Sequence, residues 1–216
     1  MQAGEQAFRV GNPQAAITQF DEALRQHPQQ ERVLFLRSKA KYQLKDYQGA
    51  LLDAQQILAI NPDKFTGDDY NALLTSGIVY NNLRQFDQAR HYLNKAKLAD
   101  STDVHLYQNV GYSYLEEQNY AAALVEYRQA VRLDPTVKTG FYGLGRTYYM
   151  LKQYPEAIRA FDQAIKLDPA YPTAYENRAA AKYQTQDLAG CCADLQRCQE
   201  LGLTHVAAFQ QQVCPK

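Results

Sequence analysis

Small and large apolar positions recur along this chain with a period of 34 residues. One small-residue column runs Gly4, Ser38, Gly77, Gly111, Gly145 and Ala179. A second runs Ala16, Ala50, Ala89, Ala123, Ala157 and Cys191, and a third, seven residues later, runs Ala23, Ile57, Ala96, Ala130, Ala164 and Cys198. Between these two lies a larger apolar column of Phe20, Ala54, Leu93, Tyr127, Phe161 and Leu195. A stop column closes each unit at Pro28, Pro62, Ser101, Pro135, Pro169 and the degenerate Leu203. The step from Ser38 to Gly77 is 39 residues, and the five extra positions fall in the polar run from Asp63 to Asp69, which predicts a longer surface loop.

Within a period, the pattern predicts two helices. Residues 138–150 carry aromatic and small residues at helical spacing, and a turn follows near Lys152 and Gln153. From Tyr154 to Lys166, Ala157, Phe161 and Ala164 share one face at steps of four and three. Asp168-Pro169 ends that helix, because proline cannot continue it and biases its predecessor away from the helical region. The small columns mark where two helices cross closely, and the large column fills the space beside each crossing. The units are residues 1–30, 31–64, 70–103, 104–137, 138–171 and 172–203, followed by an amphipathic capping helix over 204–214 that carries Val206, Phe209 and Val213. A first helix counted back from Gly4 is expected to begin before Met1.

Phe141, Leu144-Gly145, Tyr148, Ala157, Phe161, Ala164 and Pro169 recur as Tyr107, Val110-Gly111, Tyr114, Ala123, Tyr127, Ala130 and Pro135. This pattern resembles the tetratricopeptide repeat family, over nearly the whole chain. The resemblance implies an all-α, right-handed α-solenoid of antiparallel helix pairs with a C-terminal cap, in which the first helix of each pair lines a concave groove. A hairpin cannot bury its own apolar face, so stacking must bury it. Leu34 and Leu73 stand where the family often has Trp, and Arg37 and Arg178 where it usually has Leu. The two arginines predict less regular packing of the second and sixth units. Asn109 and Asn177 match one element of the family's carboxylate clamp, but the preceding units lack its Lys–Asn pair, so that function is not expected to carry over.

Composition narrows the partner. Lys+Arg and Asp+Glu both number 23, which removes the cationic surplus that duplex-DNA binding requires, and no nucleic acid is expected. No run of 18 apolar residues spans a membrane, and no charged and apolar leader pattern opens the chain. With the packing face assigned, the groove stripe reads Arg32, Phe35, Lys39 and Tyr42, then Asn71, Leu74, Ile78 and Asn81. It continues as His105, Gln108, Tyr112 and Leu115, then Thr139, Tyr142, Arg146 and Tyr149, then Thr173, Glu176, Ala180 and Tyr183, with Asn109 and Asn177 beside it. Aromatic groups with polar tips suit peptide capture, asparagine can pair with a ligand backbone, and cations outnumber the single acid Glu176. A neutral-to-acidic protein segment is therefore the expected partner. Tyr149 and Tyr183 also fit simple packing between first helices.

No catalytic, metal or cofactor site emerges. The four cysteines, Cys191, Cys192, Cys198 and Cys214, lack metal-ligand spacing. Cys191 and Cys198 occupy packing columns, while Cys214 could form a disulfide with Cys191, Cys192 or Cys198. The run Gly140-Phe-Tyr-Gly143-Leu-Gly145 follows no strand and so predicts no dinucleotide site. The chain reads as a non-enzymatic protein-interaction module. Two alternatives are a self-assembling scaffold, with a homo-oligomer forming through apolar surface at Phe8, Val10 and Phe20, and a regulatory region of a larger protein. Cytoplasmic location, and periplasmic or secreted location after loss of an N-terminal segment, both stay open.

Overall fold

The computed structural model describes residues 2–60 and 65–214, and every regular element among them is helical. The helices are α1 (Gln2–Arg9), α2 (Pro13–Gln26), α3 (Glu31–Gln43), α4 (Tyr47–Ile60), α5 (Gly67–Asn82) and α6 (Phe86–Ala99). They continue as α7 (Val104–Glu116), α8 (Tyr120–Leu133), α9 (Lys138–Met150), α10 (Tyr154–Leu167), α11 (Pro172–Gln184) and α12 (Leu188–Glu200). A 3-10 turn, Thr204–Val206, leads into α13 (Ala207–Val213), so the expected cap begins with a tighter turn. Consecutive helices pack as pairs, in two compact units spanning residues 1–102 and 103–216. No helix among the described residues is long and apolar enough to cross a membrane.

The close crossings are built by residues without side chains facing large ones. A Cβ on Gly4 would lie 2.6 Å from the Phe20 ring, and one on Gly111 3.1 Å from Tyr127. A Cβ on Gly77 would overlap Leu93, and one on Gly145 would overlap Phe161. Phe20, Leu93 and Phe161 are fully buried in consequence. Gly143 repeats the device between pairs, because its missing side chain admits the ring of Tyr127 from the preceding helix.

Each pair turns through one residue in the left-handed region: Gly11, Lys45, Arg84, Gln118, Lys152 and Gln186, with φ between 58° and 77°. Five of the six are not glycine, and each lies two residues beyond the first helix, where this conformation closes the helix end. Asp134 and Asp168 cap the turns before the next pair. Asp134 accepts hydrogen bonds from the Thr136 hydroxyl and amide, and Asp168 accepts from Lys138 and the Ala170 amide. These bonds hold both carboxyls below the usual aspartate range. Their stabilising effect is therefore present above the ordinary carboxylate pKa and is lost as the pH falls through the lowered values.

The last three residues of the expected loop from 63 to 69 are helical. Thr66 and Asp69 form a capping box, with Thr66 Oγ1 accepting from the Asp69 amide at 3.2 Å and Asp69 accepting from the Thr66 amide at 2.6 Å. Helix α5 therefore starts at Gly67, whereas Asp63 and Lys64 lie outside the described residues.

The expectation of loose packing at Arg37 and Arg178 is corrected. Arg37 forks onto Asp53 of α4 at 2.6 and 3.0 Å and reaches Asp21 of α2 at 2.7 Å. Lys41 joins Asp53 at 2.9 Å, and Asp53 is only 2% exposed. Arg178 does the same with Asp194 of α12 and Asp162 of α10, again with a lysine, Lys182, on the buried acid. Burial opposes each guanidinium charge, but the hydrogen bonds and charge of Asp53 and Asp194 outweigh it and raise both arginine pKa values. Each arginine thus ties its own pair to the second helix of the pair before it.

The apolar surface expected around Phe8, Val10 and Phe20 is mostly covered. Phe20 is buried beneath Gly4, Phe8 packs on the first core cluster, and Val10 alone of the three stands well exposed.

Two outcomes follow from this packing. Gly145→Ala should destabilise the chain by about 1–3 kcal/mol through overlap with Phe161, whereas Gly67→Ala, with open space at its Cβ, should change it by less than about 0.5 kcal/mol. Urea unfolding followed by circular dichroism measures both. Arg37→Leu, which restores the residue usual in the family, should cost about 1–3 kcal/mol in the same unfolding measurement, because it leaves the buried Asp53 with Lys41 as its cation and removes the guanidinium fork.

Candidate functional site

First helices of successive pairs touch in both units. Helix α3 meets α5, and α7 meets α9, which meets α11. Among the described residues, the second helices of successive pairs within a unit make no comparable contact. Each unit therefore bends toward its first helices, whose outward stripe carries the residues singled out in the sequence.

In the first unit this face is cationic and aromatic. Arg32 and Lys39 lie over the Phe35 ring at 5.6 and 5.4 Å, and Lys39 also lies 5.9 Å from the Phe8 ring. Phe35 itself is only 9% exposed and belongs to the core cluster, so it serves as a floor for the two cations rather than as a free anchor. Leu74 and Ile78 are half-buried on α5, and Asn71 donates to the Gly67 carbonyl one turn earlier at 2.9 Å. The assignment of Asn81 is corrected. It is 2% exposed, because residue 81 falls on the packing side of α5. Its neighbour Asn82 holds the exposed amide and donates to the Tyr42 hydroxyl at 3.2 Å.

In the second unit, polar rungs join one first helix to the next. Gln108 donates to Thr139 Oγ1 at 3.0 Å, Arg146 pairs with Glu116 at 3.2 Å, and Asn177 donates to the Tyr142 hydroxyl at 3.2 Å. The Tyr142 ring also packs against Tyr171 and Phe161, with centroids 5.2 and 6.0 Å away. Asn109 and Asn177 each donate to the carbonyl one turn earlier, at 2.8 Å. Tyr112 is half-buried on α7, and Tyr149 is half-buried with its ring 5.5 Å from Tyr154. Tyr183 is 39% exposed, with its ring 5.4 Å from Phe209 of α13.

The charge on this face departs from the surplus of cations read from the sequence. Arg146 stands against Glu116, and Glu176 stands 2.8 Å from His205 of the cap. Glu116 was findable, since it lies four residues beyond Tyr112 on α7 and so shares its face. Beneath the face lies Tyr127, whose hydroxyl feels Arg146, Tyr112, Glu116 and Tyr142. Burial raises its pKa, and the charge of Arg146 only partly offsets this. Its admission through the gap at Gly143 depends on two separate repeats and has no signal in either alone.

Among the cysteines, Cys192 and Cys214 form a disulfide, while Cys191 and Cys198 are free and buried in their packing columns.

Family models described as tetratricopeptide repeat match residues 1–65 and 70–103, and one described as TPR repeat matches 111–152 and 145–186. The chain belongs to the tetratricopeptide repeat family, a class of helical scaffolds for protein–protein interaction. Comparison with curated proteins gave no match. Among solved structures, MamA from Desulfovibrio magneticus is similar at 21% identity and TM-score 0.68, over 78% of this chain and 92% of that one. The C-terminal part of a TPR repeat-containing protein from Cytophaga hutchinsonii is similar at 21% identity and TM-score 0.73, over 98% and 82%. The Cut9–Hcn1 hetero-tetramer of the APC/C gives TM-score 0.83 at 15% identity, over 98% of this chain and 41% of that one. These likenesses concern the fold.

Tyr142→Phe keeps the ring contacts and removes the acceptor for Asn177, so it should cost about 0.5–1.5 kcal/mol in urea unfolding of the full chain.

Proposed function

We propose that the first-helix face of the second unit captures a short segment of a partner protein. The observation that carries this reading is the set of half-buried tyrosines, Tyr112, Tyr142 and Tyr149, grouped around the Arg146–Glu116 pair on helices that already touch. The rungs support it in a specific way. They fix the side chains before a ligand arrives, so binding loses little rotamer freedom. A hydroxyl that accepts a hydrogen bond can still donate one, which leaves the Tyr142 O–H for a ligand carbonyl. Leu74, Ile78, Asn71, Lys39 and Tyr42 form the corresponding face of the first unit, with Asn82 in the place given to Asn81.

Charge selects the segment. Glu116 neutralises much of Arg146, so the second unit favours a neutral segment, whereas Arg32 and Lys39 favour an acidic one on the first unit. The family's role as an interaction scaffold supports the same direction.

The test is affinity capture from the native cells, quantified by mass spectrometry, with three forms of the full chain. Tyr112→Ala with Arg146→Ala should lower recovery of specific co-purifying proteins at least tenfold against the unsubstituted chain. Arg132→Ala, on the exposed side of α8, should leave it unchanged. Equal recovery by all three forms, with helical content intact, would remove this face from the account.

A further inference from the structure

The Cys192–Cys214 bond ties the last helix to the array at a place where little else holds it. Helix α13 has seven residues, none fully buried, and an isolated helix of that length is not stable in water. Its other contacts are few. Phe209 and Val213 are half-buried against the cluster of Ala179, Leu195 and Cys198, Phe209 meets Tyr183, and His205 meets Glu176. Among the described residues after α12, only Val206 is deeply buried. The disulfide closes a loop 22 residues long in sequence, and such a closure limits the freedom of the detached segment.

Both bridged cysteines are half-buried. The two remaining thiols are fully covered. Burial raises the Cys191 pKa and pushes that of Cys198 up to about 12, which keeps both protonated at neutral pH. A protonated, covered thiol is a poor nucleophile toward a neighbouring disulfide. The Cys192–Cys214 pair is therefore insulated from exchange with its own chain, even though Cys191 is the adjacent residue.

We propose that the Cys192–Cys214 bond is a reversible redox site whose co-substrate is a dithiol, and that its state decides whether α13 covers the end of the second unit. A thiolate of the dithiol attacks one sulfur of the bridge, forming a mixed disulfide and releasing the other cysteine as a thiolate. The second thiol of the dithiol then displaces the remaining cysteine. The bridge gains two electrons and two protons, and the dithiol leaves as its own disulfide. With the bond open, Tyr183 and Glu176 lose their cap partners Phe209 and His205, and the α11 stripe is extended by both residues. This inference rests on the cap alone and holds whether or not the tyrosine face binds a segment.

Dithiothreitol, a dithiol, serves as the probe on the full native chain, with hydrogen exchange read by mass spectrometry. The oxidised chain, denatured without reductant, should titrate two thiols, and the reduced chain four. Reduction should speed exchange across residues 204–214 about tenfold or more while leaving α7–α10 unchanged. Cys192→Ser should show the fast exchange without any reductant, and Cys191→Ala should behave as the oxidised chain does. Equal protection of the cap in oxidised, reduced and Cys192→Ser forms would overturn the proposal. Resistance of the native bond to dithiothreitol, with reduction only after denaturation, would overturn it as well.

Discussion

Four of the six pairs in this chain close where a glycine of one helix faces a ring or a branched side chain of its partner. At Gly145 the backbone of α9 comes so near Phe161 that even a methyl group would overlap it, and Gly77 and Leu93 repeat the arrangement. That approach fixes the angle and depth of each hairpin. The angle in turn decides which residues of the first helix remain outside. Because the hairpin cannot cover its own apolar side, the next one must, and Gly143 shows how far this goes, with Tyr127 of one pair seated in the gap left by the following one.

From this packing the exposed stripe follows. The first helices of the second unit touch, and their outer residues are crowded enough to bond with one another: Gln108 with Thr139, Glu116 with Arg146, Tyr142 with Asn177. In the second unit this face is nearly balanced in charge. That balance distinguishes it from the cation-rich groove that the stripe residues suggest when they are read singly.

What could be read in advance was whatever repeats. The span of α9 agrees residue for residue with its sequence pattern, and Asp168-Pro169 stops α10 where expected. What could not be read depends on pairing across the fold. Arg37 looks like a defect in a leucine column until Asp21 and Asp53, each 16 residues away on different helices, arrive beside it. Asn81 and Asn82 are adjacent in sequence, and one step of helical rotation buries the first and exposes the second. The early start of α5 was within reach, since Thr66 and Asp69 have the spacing of a capping box. The choice of Cys192 over its two rivals needed the position of α13, which spacing does not give.

The arginine clusters bear on how the array comes apart. In a stack held only by contacts between neighbours, hairpins can fray one at a time from an end. Arg37 and Arg178 each grip an acid in their own pair and another in the pair before, so neither pair can open without breaking an ion pair to its neighbour as well as its own packing. At those two junctions the fraying of one hairpin is therefore coupled to the next.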